Sequence, residues 1–502
     1  MVVDCSVVMP GQVEEHAVVP IGKKDKADIL VLSSSLLTDR MLRYSECIDV
    51  LSRQVDVRVW ATSAPDPQTH EGWCKSQARV EEFPRIRAFR EFPHNYLRRL
   101  NEYAWDFSLR PPSRLSMMRH VRDKRQGASI RILKLPARAM AWMKVEQTFE
   151  NWLEKQLLNY SRSPEAASRL RAERPAAVVC TNPFWYTEPA VVAAAKKVGI
   201  PTLALIPSWD NLSTKSRMVF KYDGYLVWSE QARRELHSFY PSSREAPVYV
   251  VGAPQFDVFY QERFYRSREE FCAAHGLKSD RPIIVYALGS PNFLREHHGA
   301  VRMAARVAAG HLGDVQMIVR PHPIHDNAEL GELFGRFAPR VALQRTGLAG
   351  AHVTARFQDE RQITDWVNTF RHADVVINLS STVTIDAALL DRPVINLDYD
   401  PEPGQPQQEL IREINHLWTH FKPVAESGGV WLVDNDEELI TAVRTYLRHP
   451  ELHREKRRWI AEYVCGYTDG RSGERVANAI IDFTRWHASE GRRYRNQHYI
   501  EE

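Results

Sequence analysis

Residues 372–398 read HADVVINLSSTVTIDAALLDRPVINLD. An apolar run, Val375-Val376-Ile377, ends at Ser380-Ser381-Thr382, and a helix-like apolar segment follows from Val383 to Leu390. Arg392-Pro393 breaks that pattern before a second apolar run, Val394 to Leu397. Strand, hydroxyl-rich turn, helix and strand within so short a span predict a βαβ unit with parallel strands. Neither strand shows polar alternation, as expected when both faces are covered. An open α/β sheet places its ligand at the turn after such a strand. Three hydroxyls, free backbone N–H groups and the positive end of a helix dipole suit a phosphate there. The competing reading is that Ser380-Ser381-Thr382 only caps the helix.

The chain has 502 residues, enough for two to four domains. Hydrophobic residues make up 44% and charged residues 26%, and the net charge of +4 is too small to call for nucleic acid as a partner. Six cysteines at 5, 47, 74, 180, 272 and 465 form no CxxC pair, so neither a zinc site nor a disulfide framework is expected and a reducing cytosol fits. The first residues, MVVDCSVVMPGQVEEH, lack the basic and apolar regions of a secretory signal. No apolar run reaches the ~18 residues of a membrane span. The expected location is therefore cytoplasmic, with any membrane contact peripheral.

Outward from the opening stretch the pattern repeats. Residues 1–25 read as a loosely held extension. Strand Ile29–Leu32, a helix from Met41 to Arg53 and strand Val55–Trp60 open a doubly wound domain spanning 26–253. Inside it, about 85–165 is a helical insertion. Leu97 to Lys144 carries twelve Lys/Arg against three acids, with aromatics and methionines interleaved. That composition reads as a surface for an anionic membrane or acceptor, or as a solvated helix whose aromatic face packs on the sheet. Residues 254–279 link to a second α/β domain over 280–465, in which Val353–Phe357 is read as a short strand. The fold class is α/β, two doubly wound Rossmann-like domains with a cleft between them.

Arg320-Pro321-His322-Pro323 follows a strand directly. A guanidinium grips phosphate with two parallel charge-assisted bonds, an imidazole adds a donor, and two prolines stiffen the loop. Gly289-Ser290, Arg320/His322 and Ser380-Ser381-Thr382 all end strands of the second domain, so they converge on one sheet edge. Three anion-suited turns at one edge suggest a diphosphate, and hence a nucleotide donor. Asp386, early in the helix after the turn, is placed to accept from ribose hydroxyls, or to favour the helix dipole.

Four features together resemble glycosyltransferases of the GT-B fold, in particular bacterial surface-polysaccharide enzymes and the CDP-glycerol glycerophosphotransferases of teichoic-acid synthesis. They are Val250 to Asp257 (VVGAPQFD), the RPHP after a strand, Ala373 to Ser381 and Arg392 to Ile395. Tyr467 to Arg475 (YTDGRSGER) is similar to an element near the C-terminus of those families, and Pro207 to Lys215 (PSWDNLSTK) to a loop of surface-carbohydrate transferases. The resemblance covers about 200–480 and is weak before 175. It implies a donor held mainly by the second domain, an acceptor by the first, and a final helix over 466–502 crossing back. By this correspondence Arg320, His322, Ser380, Ser381 and Thr382 hold the donor phosphates, beside the Gly289-Ser290 turn of the same edge, and Asp386 meets the ribose, though with a shorter chain than the glutamate usual there.

The reaction expected is transfer of a sugar or polyol phosphate from a nucleotide-activated donor to a surface-glycan or lipid-linked acceptor, with no cofactor and no metal. Fixed donors would stabilise the leaving diphosphate, and an acid in an N-domain loop, Asp210 before Asp39, would take the acceptor's proton. Asp398-Tyr399-Asp400 has the letters of a metal motif in the wrong place. Two alternatives share the architecture: a nucleotide-sugar 2-epimerase, and a non-catalytic module that binds a glycan or partner.

Overall fold

A computed structural model describes residues 2–3, 28–64, 77–87, 91–122, 128–160, 163–290, 293–322, 328–345 and 358–498. The strand expected over Val353–Phe357, most of the N-terminal extension and Pro323 lie outside these residues. Two sheets organise the chain. The first contains β1 (Val2–Val3), β2 (Asp28–Ser33), β3 (Asp56–Ala61), β4 (Arg79–Glu82), β5 (Ala177–Cys180), β6 (Thr202–Leu205), β7 (Gly224–Val227) and β8 (Val248–Val250). Their order is β1-β4-β3-β2-β5-β6-β7-β8. Every pairing is parallel except β1, which runs antiparallel to β4, so the extension begins with an edge strand. The central strands are buried along their whole length, which is why their sequences carry no alternation.

The helix expected from Met41 to Arg53 is two helices, α1 (Leu36–Tyr44) and α2 (Cys47–Gln54). The break falls at Ser45-Glu46, where Glu46 takes a positive φ of 59° and redirects the chain. The insertion forms α3 (His94–Leu109), α4 (Pro112–Met117), a single π-turn Met118–Arg122, α5 (Ala128–Met143) and α6 (Glu146–Asn159). Leu100, Tyr103 and Ala104 of α3 pack on Leu133 and Ala137 of α5 as a small separate core. Much of the basic charge of this stretch is used internally. Arg98 stacks 4.2 Å over Tyr186, and Arg114, buried, pairs with buried Asp106 at 2.5 Å. Arg119 pairs with Glu413 in the other half of the molecule.

The second sheet, β9 (Ile283–Ala287), β10 (Gln316–Arg320), β11 (Val341–Leu343), β12 (Val375–Asn378), β13 (Val394–Leu397) and β14 (Trp431–Val433), is parallel throughout in the order β11-β10-β9-β12-β13-β14. Helices α7 (Glu360–Arg371), α8 (Val383–Leu389) and α9 (Gln408–His416) pack around it. The core of this sheet extends across the junction to take in Tyr44, Trp209 and Trp228 of the first half.

The last helix, α10 (Ser472–His498), returns to the first sheet, where Val476, Ala477, Ile480, Ile481 and Phe483 join the core of β2, β3 and β6. The glycines of YTDGRSGER make that return possible. A Cβ on Gly470, at φ +72°, would meet Tyr260 at 2.5 Å, and one on Gly473 would lie 1.7 Å from the Ser45 carbonyl oxygen. Buried Asp257 accepts from the Ser472 and Gly473 N–H groups at 3.1 and 2.7 Å and fixes the helix start. Gly473→Ala is expected to cost several kcal/mol, about 3 or more, because a backbone carbonyl cannot swing aside as a side chain would. Urea denaturation measures this against Gly335→Ala, where nothing lies within 4 Å of the added carbon. Equal midpoints for the two variants would refute the packing argument.

Candidate functional site

The turn after β12 is shaped by asparagines. Asn378, fully buried at the strand's end, accepts at Oδ1 from the Ser381 N–H (2.9 Å), the Ser381 hydroxyl (3.2 Å) and the Thr384 hydroxyl (3.3 Å). Its amide donates to Asn396 Oδ1 at 3.0 Å. Ser380 sits at φ +48°, where a serine is strained, and its hydroxyl donates to Asn415 Oδ1 at 2.6 Å. Two of the three hydroxyls expected to face a phosphate are thus turned inward to hold the turn. Thr382 is the one aimed at the first half, where its Oγ1 accepts from Trp209 Nε1 at 3.5 Å.

The neighbouring turns are also built around internal partners. The Gly289 N–H donates to Glu296 Oε1 at 2.5 Å. Burial pushes the Glu296 carboxyl up to about 8, and its other oxygen has no partner. The Ser290 carbonyl accepts from the Phe293 and Leu294 N–H groups at 2.8 and 3.0 Å, and its side chain is half-buried. Arg320 is buried at the end of β10 and donates to Gln344, which in turn donates to Thr369 Oγ1 at 2.7 Å. His322 lies half-buried two residues further along the same edge.

Asp386 is not open to a ribose. It is buried beneath the turn, with one carboxylate oxygen unpartnered, in the electrostatic reach of Arg40 from α1 and Arg320 from β10. Burial pushes this carboxyl up to about 7 against the pull of the two guanidiniums. Burial likewise lowers both arginines to about 10. Arg40 stacks 4.2 Å over Trp366 and donates to Gln255 and Gln358 at 3.1 Å each. A side chain of the first half is therefore built into the edge of the second where β10 and β12 end, which nothing in the local sequence around Arg40 announces.

Of the two acids expected to act on the acceptor, Asp39 is remote from an open role. It is buried in α1, bonded to Arg43 Nε at 2.8 Å and to the Ser63 hydroxyl at 2.6 Å, and burial raises its carboxyl above the ordinary value. Asp210 lies at the junction. Its carboxylate accepts from Ser208 Oγ (2.6 Å), Asn211 Nδ2 (3.0 Å) and Thr214 Oγ1 (3.1 Å). Burial works to raise this carboxyl, but Lys215, His420 and these bonds outweigh it and leave it below the usual range. So Asp210 is an ionised group whose lone pairs are already engaged.

Facing it from the second half is His420, which follows no motif that would single it out. Its Nδ1 is 3.0 Å from Ser213 Oγ, and Trp209 meets its ring edge-on at 4.9 Å. Burial lowers His420 to about 4, partly opposed by Asp210. Trp418 and Phe421 complete an aromatic enclosure around it. The adjoining segment is clamped by the insertion: Trp418 Nε1 donates to Ser116 Oγ at 2.8 Å and the Thr419 N–H to Ser113 Oγ at 2.7 Å.

Asp398 and Asp400 have structural partners. Asp398 accepts from Asn415 at 2.9 Å and meets His416 at 2.8 Å, while Asp400 accepts the Glu402 and Gln407 N–H groups at 3.0 and 2.5 Å. Among the described residues His120, Glu409 and Glu413 bring possible ligand atoms within 4.8 Å of one another, but Ser116 and Arg119 already occupy Glu413. A groove of about 480 Å³ opens between the segment 263–274 and α7.

Comparison with known proteins gives two findings. Residues 193–482 match the family model of CDP-glycerol:poly(glycerophosphate) glycerophosphotransferases. The fold is similar to the S. aureus MnaA–UDP co-structure, at 12% identity over 91% of this chain and 97% of that one, with a TM-score of 0.52. It is also similar to UDP-GlcNAc 2-epimerase from Neisseria meningitidis bound to UDP-GlcNAc, at 11% identity over 91% of this chain and 100% of that one, with a TM-score of 0.50. At these identities the likeness is one of fold. No curated protein sequence matches the chain.

Proposed function

The chain belongs to the CDP-glycerol:poly(glycerophosphate) glycerophosphotransferase family and is a nucleotide-dependent transferase, and we propose that it moves a sugar or polyol phosphate from a nucleotide-activated donor to a surface-glycan or lipid-linked acceptor. The observation that carries the reading is the adjacency of β10, β9 and β12, which puts their three C-terminal turns side by side. Ligands of open parallel sheets bind outside those ends. The donor's phosphates are assigned to Arg320, His322, Thr382 and the backbone around Ser381 and Ser290. Their fixed dipoles stabilise the charge that develops on the leaving nucleotide. No metal or cofactor is assigned a part.

The proton of the attacking hydroxyl is assigned to His420. Its neutral ring can accept a proton, and ionised Asp210 beside it stabilises the imidazolium that results. Asp210 thus moves from base to the partner of the base. Trp209 and Trp418 cover His420, so entry of an acceptor requires the two halves to part. Among the described residues no helix is long and apolar enough to cross a membrane. We place the reaction at the cytoplasmic face of a membrane, which the protein meets from the surface.

A thermal-shift panel of CMP, CDP, UDP, GDP and ADP tests the donor assignment. A nucleotide that binds only the folded chain stabilises it by about 2.7 kcal/mol at a hundred times its Kd. The cytidine nucleotides are expected to stand out, and a flat panel would remove the donor site. The epimerase alternative makes a different prediction: incubation with a nucleotide sugar alone yields its isomer, with no acceptor present.

A further inference from the structure

We propose that the outward face of α5 is the element that seats this protein on an anionic lipid surface. This rests on the membrane-surface part of the function proposed above and assigns it to one helix. The wider basic stretch offers less to a membrane at Arg98, Arg114 and Arg119, which are taken up by Tyr186, Asp106 and Glu413, the first two of them buried.

Helix α5 has two apolar faces where one would suffice to fold. The inner face, Leu133 and Ala137, is buried against α3. The outer face is left in water: Ile132 is 69% exposed, Leu135 69%, Trp142 85% and Met143 53%. At 100° per residue these four positions fall within about 100° of arc, a single stripe. So much apolar surface concentrated on one exposed stripe marks a contact surface.

The charge pattern selects the occupant. Between Ala128 and Lys144 there is no Asp or Glu, while Arg131, Lys134, Arg138 and Lys144 are basic. Lys134 and Arg138 fall by their spacing on one flank of the stripe. A second copy would set this cationic face against its like, which electrostatics opposes. An anionic headgroup layer complements it, with the apolar stripe entering the headgroup–acyl boundary. Tryptophan, with an apolar ring and a polar N–H, suits that boundary. Sixteen residues give a helix about 24 Å long, which lies in the surface rather than spanning it.

The test is co-sedimentation of the full chain with phosphatidylcholine–phosphatidylglycerol vesicles and with phosphatidylcholine alone. Wild type is expected to bind the mixed vesicles at low salt and to release as salt rises. Leu135→Glu with Trp142→Glu is expected to abolish binding. Lys134→Gln, Arg138→Gln and Lys144→Gln together are expected to weaken it about a hundred-fold, near five-fold per charge. All these side chains are exposed or half-buried, so the fold should survive, and the nucleotide-induced thermal shift reports that it has. Failure of wild type to bind mixed vesicles at low salt would overturn the assignment, as would undiminished binding by the glutamate variant. Dimerisation that the glutamates abolish, without vesicle binding by wild type, would give the face to a second copy and also overturn it. Vesicle binding without any nucleotide shift would leave this inference standing while removing the donor site.

Discussion

His420→Ala is expected to lower kcat by about a thousand-fold, the middle of the range for losing a positioned base, while CDP binding stays unchanged. His420 lies in the same half as the donor-side turns but is assigned no phosphate contact, so its loss should leave donor binding intact. His420→Asn separates chemistry from structure. Its amide reaches the place of Nδ1 and can keep the 3.0 Å bond to Ser213 but cannot take a proton, so it should be as slow as alanine. Full activity in the asparagine variant would show that the ring only holds the loop. The pH dependence follows from the direction of the shift. Burial lowers the imidazole from 6.5 to about 4, so the neutral, proton-accepting form persists down to that pH and the rate limb lies there. The unfolded chain binds this proton more readily, so the native state loses stability as pH falls from about 6.5 to about 4, by on the order of 3 kcal/mol. The alanine variant should lose this part of the acid sensitivity, which chemical denaturation at pH 7 and pH 5 would reveal.

Arg320→Ala is expected to weaken nucleotide binding by about a hundred-fold or more, since charge-assisted bonds to phosphate are worth roughly 1.5–3 kcal/mol each. It should also destabilise the apo protein by about 1–3 kcal/mol, because Gln344 Oε1 loses its charged donor and is left with the Thr369 hydroxyl. Of the two guanidiniums near Asp386 only Arg40 would remain. Calorimetry with CDP and urea denaturation of the ligand-free variant read the two effects apart. Arg320→Lys keeps the charge but not the two-pronged donor, and should fall between. Wild-type affinity for CDP in the alanine variant would remove the edge of β10 from the donor site.

Sequence periodicity placed the strands well wherever burial is complete. Ile29–Leu32, Val375–Ile377 and Val394–Leu397 are unbroken apolar runs, and the structure makes each a buried parallel strand. It missed short strands at or next to the sheet edges. β4, β11 and β14 have exposed or half-buried positions and three or four residues each, too few for a period to show. It also ran α1 and α2 together, because the Glu46 turn uses a positive φ without a glycine to mark it. The glycines of YTDGRSGER were visible as a motif, but their reason, a carbonyl 1.7 Å from where a Cβ would lie, belongs to a contact between residues 45 and 473.

At the candidate site the division is sharper. The letters alone located the turns, since a hydroxyl cluster after an apolar run and an arginine after another are local patterns, and parallel topology brings such turns to one edge. Which atoms remain available was decided by tertiary structure. Ser380 and Ser381 spend their hydroxyls on Asn415 and Asn378, Gly289 gives its N–H to Glu296, and Asp386 is enclosed with Arg40 and Arg320. His420 beside Asp210 depends on which surfaces the two halves bring together, and the exposed stripe on α5 on which of its faces α3 covers. Hydrogen bonding and burial are properties of pairs distant in the chain, here up to some three hundred residues apart, and no local pattern encodes a distant partner.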